Sequence, residues 1–152
     1  MRIDQQVLDF LTPVLSSNPK SPVKLCLAFS GGLDSCVLLS ALLAAKKTLN
    51  FELNAMHVHH GLSPNADAWA DFCVESCKVL KVPLQVVHVK VDKKAGLGIE
   101  AVARQARYQA LLDSDADFIV LAHHQDDQAE TFLLQLLRGA GVKGLSAMAA
   151  FD

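Results

Sequence analysis

Short apolar runs alternating with helical stretches constrain this chain more than any other feature. Lys24–Phe29 (KLCLAF) reads as a buried strand, and Asp34 to Lys46 behind it as a helix. Leu53–His59 is a second strand. Ser63 and Pro64 then supply an N-cap and a first-turn proline for a helix reaching about Leu80. In that helix Trp69, Phe72, Cys73, Cys77 and Leu80 recur at three and four, as one buried face requires. Pro83 breaks the pattern before a third strand, Leu84–Val91, and a glycine loop at Gly96 and Gly98. Ile99 to Leu112 is helical, Asp117–Ala122 is a fourth strand, and Gln125 to Arg138 is helical again until Gly139, Gly141 and Gly144.

Such alternation predicts an α/β fold, a doubly wound parallel sheet with helices on both faces. Ligands of these sheets bind beyond the carboxyl ends of the strands, where the strand order reverses. At 152 residues the chain is about one domain, and 51% hydrophobic against 20% charged residues is an ordinary globular balance. A net charge of −2 argues against a broad nucleic-acid surface on this segment. No apolar run reaches membrane-spanning length and the N-terminus lacks a signal-peptide pattern, so a cytoplasmic location is expected. The chain stops just after a loop, without a fifth strand, and reads as a piece of something longer.

Four cysteines make no disulfide framework here. Cys26 lies in a strand, Cys36 opens a helix, and Cys73 and Cys77 share one helix face. A metal would need two more ligands nearby, so small core residues are the better reading.

Candidate chemistry gathers at the strand ends. Ser30-Gly31-Gly32-Leu33-Asp34-Ser35 follows the first strand and opens a helix. Two glycines let the backbone approach an anion, and the helix start offers free N–H groups and a positive dipole end. Asp34 is odd in an anion nest unless it faces a metal or a cationic substrate. A plain serine-rich turn is the bland alternative. The lysine-bearing loop of kinases and GTPases is absent. At the end of the second strand, alternation points His57 and His59 to one sheet face, while His60 and Gly61 enter the loop. After the fourth strand come His123 and His124, then Asp126, Asp127 and Glu130 in the first turns of a helix, where acids favour the dipole. Asp34 and Asp127 together could hold Mg²⁺ against nucleotide phosphates. Glu100, Arg104 and Arg107 share a helix, either as an intrahelical ion-pair set or to offset phosphate charge.

The hexapeptide resembles the SGGxDS signature of the PP-loop ATP pyrophosphatases, of adenine nucleotide alpha hydrolase-like, Rossmann-like fold. That resemblance implies ATP cleaved between its α- and β-phosphates, with Ser30, Gly31, Gly32, Leu33, Asp34 and Ser35 holding the pyrophosphate and Mg²⁺. Glu100–Tyr108 (EAVARQARY), His57–Leu62 (HVHHGL), Leu121–Thr131 (LAHHQDDQAET) and Leu136–Met148 (LLRGAGVKGLSAM) resemble segments of the tRNA(Ile)-lysidine synthetase family. Membership would imply adenylation of the C2 carbonyl of the wobble cytidine in an isoleucine tRNA with a CAU anticodon. Attack by L-lysine would then form lysidine and expel AMP. An anticodon loop presents that base unstacked. By the same resemblance His57, His59 and Gly61 border the adenosine, and Asp34, Arg104, Arg107, His123 and Asp127 line the reaction centre, Asp34 and Asp127 as metal ligands. A homodimer is among the assemblies to expect. Family members continue through the rest of the catalytic domain into tRNA-binding domains, so the resemblance implies a chain without its C-terminal part and those domains. Two other readings compete: a tRNA cytidine thiolase, which would be expected to show C-x-x-C pairs, and an inactive nucleotide-binding module.

Overall fold

The computed structural model describes residues 2–90 and 98–123. The chain divides into two compact units, Met1–Leu121 and Ala122–Asp152, and the architecture below is that of the first. The elements in chain order are α1 (Ile3–Ser16), β1 (Val23–Ala28), α2 (Leu33–Ala45), β2 (Phe51–His59), α3 (Ala66–Val79), β3 (Leu84–His88), α4 (Ile99–Leu112) and β4 (Phe118–Val120). The four strands form one parallel sheet in the order β3-β2-β1-β4. The α/β expectation holds.

Period-two alternation divides the strands between two cores. Val23, Leu25 and Leu27 of β1, with Phe29 just past its end, and Phe51, Leu53 and Ala55 of β2 share a core with Leu11, Leu39, Leu42, Cys73 and Cys77. That face is covered by α1, α2 and α3. Cys26, Met56 and Val58 point the other way and pack with Leu111 of α4. Leu25 and Leu27 are essentially inaccessible. Each contributes roughly 1.5–3 kcal/mol by leaving water.

Right-handed crossovers explain which helix goes where. The chain steps from β1 to β2 to β3 in one direction, so α2 and α3 lie on one face. It then returns past β1 to β4, and α4 must cross on the opposite face. The reversal falls between β1 and β4, which puts the carboxyl end of β1 at the topological switch point.

Four readings of the sequence need correction. Helix α1 was not foreseen, although Leu11 is buried and Val7, Leu8 and Leu15 pack against the main core. Ser63 and Pro64 form a turn before α3 rather than its first turn: the Ser63 hydroxyl accepts from the Asn65 N–H at 3.2 Å, and Asn65 is the N-cap. On α3 the buried stripe is Ala70, Cys73 and Cys77, whereas Trp69, Phe72 and Leu80 are 54%, 50% and 42% exposed. Small residues let the helix lie close to β2 and β3, and the large ones flank the contact. Strand β3 also ends at His88, before Val91. The loop at Gly96, the helix from Gln125 to Arg138 and the glycines after it lie outside the described residues. So does the segment Leu136–Met148.

Candidate functional site

The carboxyl end of β1 runs directly into the loop 30–35. Gly31 adopts φ +80°, the left-handed region that glycine enters without strain. The loop closes on itself: the Ser30 hydroxyl accepts the Gly32 N–H at 3.3 Å, and the Ser35 hydroxyl donates to the Gly32 carbonyl at 2.9 Å. The two serine oxygens are 3.2 Å apart. Ser35 is therefore buried and occupied in shaping the loop, while Ser30, Gly32, Leu33 and Asp34 are exposed. Gly32 is the N-cap of α2 and brings no capping side chain, so the first N–H groups of the helix lack that partner. This is an anion-receiving arrangement.

Behind the loop stands α3. A β-carbon on Gly31 would come within 2.9 Å of the Cys73 sulfur and 3.1 Å of the Phe72 ring. Burial, then the neighbouring Cys77 and Cys36 thiols, push the Cys73 thiol up to about 12. It remains a thiol at neutral pH. Cys26, Cys36 and Cys77 are raised too, with burial as the first cause.

The histidines at the end of β2 separate by face as alternation requires. His57 is buried, and its Nδ1 lies 2.9 Å from the Phe29 carbonyl. His59, on the same face, pairs through Nε2 with Asp67 of α3 at 2.7 Å, and its ring lies 4.7 Å from that of His88 on β3. His60 turns to the α4 side. Burial, then the Arg107 guanidinium, hold its pKa below the ordinary 6.5, and its Nδ1 is enclosed without a hydrogen-bond partner. Gly61 has φ +63° and open space around its α-carbon.

Arg104 and Arg107 do not pair with Glu100. Both stand over Tyr108, with guanidinium carbons 5.6 and 5.8 Å from the ring centroid. Such contacts hold the two cations together on one stretch of α4 without neutralising them. His123 follows β4 in the second unit and is exposed. Asp127 lies outside the described residues.

Asp67, His88, Phe72 and Cys73 were missed as neighbours of the site. The proximity of α3 to the loop has no local signature, although three small residues on one helix face hint at a close approach. Among the described residues no three His, Cys, Asp or Glu side chains converge on a point. A closed metal cage is thus absent there. Asp34 and the Ser30 hydroxyl instead present hard oxygen donors, the chemistry that suits Mg²⁺ shared with phosphates.

A parallel sheet with a glycine loop and an uncapped helix at its switch point defines a nucleotide-binding α/β domain. The chain belongs to the PP-loop domain family, which it matches over residues 2–152. It is 51% identical over 139 residues to the tRNA(Ile)-lysidine synthase of Xanthomonas axonopodis pv. citri, covering 90% of this chain and 31% of that protein. The protein of the same name from Chromobacterium violaceum is 57% identical over 123 residues, with 80% and 28% covered. That from Neisseria meningitidis serogroup B is 54% identical over 127 residues, with 84% and 30% covered. The chain thus spans about a third of the length of these relatives. Among solved structures, the U34-tRNA thiolase NcsA of Methanococcus maripaludis, with its 4Fe–4S cluster, is similar in fold. Its TM-score is 0.73 at 23% identity, covering 92% of this chain and 50% of that one. No described helix is long and apolar enough to cross a membrane.

Proposed function

We propose that this chain provides the ATP-activating part of a tRNA(Ile)-lysidine synthase. In this reading ATP adenylates the C2 carbonyl of the wobble cytidine of an isoleucine tRNA with a CAU anticodon, and L-lysine displaces AMP. The observation that carries it is identity above 50% with synthases of that name over most of this chain. The loop geometry supports the same chemistry, since an open helix start beside two glycines suits a pyrophosphate.

The roles of individual residues carry over from the motif resemblances. Ser30 to Ser35 receive the β- and γ-phosphates, with Ser35 bracing the loop from inside. At the end of β2, His59 to Gly61 border the adenosine, with His57 behind them in the interior. Arg104 and Arg107 offset negative charge as pyrophosphate departs, a task for cations held in place before the reaction. His123 and Asp127 act at the reaction centre. Bound Mg²⁺ would be held by Asp34 and Asp127 and would supply charge neutralisation at the phosphates. The remainder of such an enzyme would bring the basic surface for tRNA, in keeping with the net charge of −2 here.

A thiolase reading has the fold in its favour and the cysteines against it. Cys26, Cys73 and Cys77 are buried free thiols in the elements of the core, and no C-x-x-C pair is present. AMP release from ATP, measured with unmodified tRNA and with or without L-lysine, tests the proposal. AMP formation needing both, with mass gain at the wobble base, is expected. Turnover indifferent to lysine would sink it.

A further inference from the structure

The parallel ladder between β1 and β2 ends in an unusual way. The Phe29 N–H donates to the Met56 carbonyl at 2.8 Å, one step beyond the last paired residues, Ala28 and Met56. The Phe29 carbonyl, the last before Ser30, faces a side chain: Nδ1 of His57, at 2.9 Å. The Cys73 sulfur lies 3.9 Å from the same carbonyl and 3.4 Å from the same nitrogen. A carbonyl can only accept, so the ring proton sits on Nδ1 and points at Phe29, and the S–H points there as well. The same sulfur backs Gly31, where a β-carbon would meet it at 2.9 Å. Two buried side chains from β2 and α3 therefore fix the backbone on both sides of Ser30.

We infer that His57 and Cys73 are positioning residues for the loop: they clamp Phe29 and Gly31 so that Ser30 to Ser35 stand ready for the β- and γ-phosphates of ATP. The inference rests on the proposed function, in which that loop receives the pyrophosphate portion. It gives His57 an indirect part at the nucleotide site, through the Phe29 backbone, because its Nδ1 is turned to the interior. It also explains a thiol at position 73. A larger side chain would displace Gly31, and a charged one would be buried without a partner.

Equilibrium binding of ATP and of AMP, each with Mg²⁺, separates loop positioning from general damage. His57→Phe keeps a ring and removes the donor. It should weaken ATP about tenfold and leave AMP unchanged, because AMP lacks the phosphates the loop receives. His57→Asn, whose amide N–H can replace Nδ1–H, should recover most of the loss. Cys73→Leu should repeat the selective loss and Cys73→Ser should not. Equal loss of both nucleotides, or unchanged ATP binding, would overturn the inference. Imidazole ¹⁵N spectra of the wild-type protein decide the clamp without any variant: a proton on Nδ1 is expected, and a ring protonated only at Nε2 would overturn it. Wild-type protein that binds neither nucleotide would defeat the functional reading, while the spectra would still decide the clamp.

Discussion

Gly31 lies against Cys73 so closely that a β-carbon on the glycine would reach 2.9 Å from the sulfur. The backbone there is also left-handed, with φ +80°. Gly31→Ala therefore meets two separate obstacles, a strained φ of roughly 1–3 kcal/mol and a collision with α3. Gly32 is different: its φ is −71°, and the nearest atom to an added β-carbon is the Ser30 hydroxyl at 3.4 Å. We expect Gly31→Ala to lose on the order of 1–3 kcal/mol in urea denaturation, together with ATP binding. Gly32→Ala meets neither obstacle and should lose no more than about 1 kcal/mol, the cost of a poorer N-cap, while keeping ATP binding. Equal effects at the two positions would contradict this account.

His60 offers a pH readout of the arginine pair. Its folded pKa is depressed first by burial and then by Arg107. The unfolded chain, near the ordinary 6.5, takes up a proton first as pH falls. This histidine's contribution to stability is accordingly present above the unfolded pKa and is lost as pH drops toward the folded one. Arg107→Met removes the cation and keeps much of the packing. The His60 titration followed by NMR should then move upward, though not fully to 6.5 because burial remains. A titration indifferent to the substitution would mean that Arg107 does not act on His60.

Most of the sheet was legible because period-two alternation and turn residues are local signals. Ile99–Leu112 was read to the residue, and β2 began only two residues early. Tertiary position was less legible. Trp69 and Phe72 fit a helical stripe as well as Ala70 and Cys73 do, and periodicity cannot say which side of a stripe meets the sheet. The glycine loop was visible as a motif, but its supports come from β2 and α3, far along the chain. Only the folded arrangement brings Cys73, His57 and Phe29 together.

The four cysteines should differ in reactivity. Cys73, pushed up to about 12, has almost no thiolate at pH 8 and is inaccessible. Cys36 is the one that is only partly buried. Native alkylation with iodoacetamide, followed by peptide mass spectrometry, should label Cys36 first and leave Cys73 unmodified until the protein unfolds. Early labelling of Cys73 would show that α3 does not stay closed over the loop.

Acid stability should depend on Asp117 at the amino end of β4. It pairs with Lys20 and accepts the Lys24 N–H at 2.9 Å. These contacts, the Lys20 hydrogen bond first, hold its carboxyl below the ordinary 3.8. The unfolded chain protonates there before the folded one, so the stabilisation is present above the unfolded pKa and disappears as pH falls through the folded value. Asp117→Asn should flatten the stability curve in that window, measured by urea denaturation from about pH 5 downward. A variant that loses stability with acid as steeply as the wild type would remove Asp117 from the account.

Asp34 separates chemistry from folding. It is exposed in the first turn of α2, where a carboxylate gains a few tenths to about 1 kcal/mol from the helix dipole. Asn keeps the shape and the oxygen donor but loses the charge. Folding should thus fall by no more than about 1 kcal/mol in urea denaturation. If Asp34 is an Mg²⁺ ligand in ATP activation, AMP formation should drop by on the order of a hundredfold or more, because charge stabilisation at the departing phosphates is lost. Raising Mg²⁺ should recover part of the rate in the Asn variant and none in an Arg107→Met variant, which lacks a fixed cation rather than a metal ligand. Unchanged AMP formation in Asp34→Asn would take Asp34 out of the reaction and leave the loop as a phosphate cradle alone.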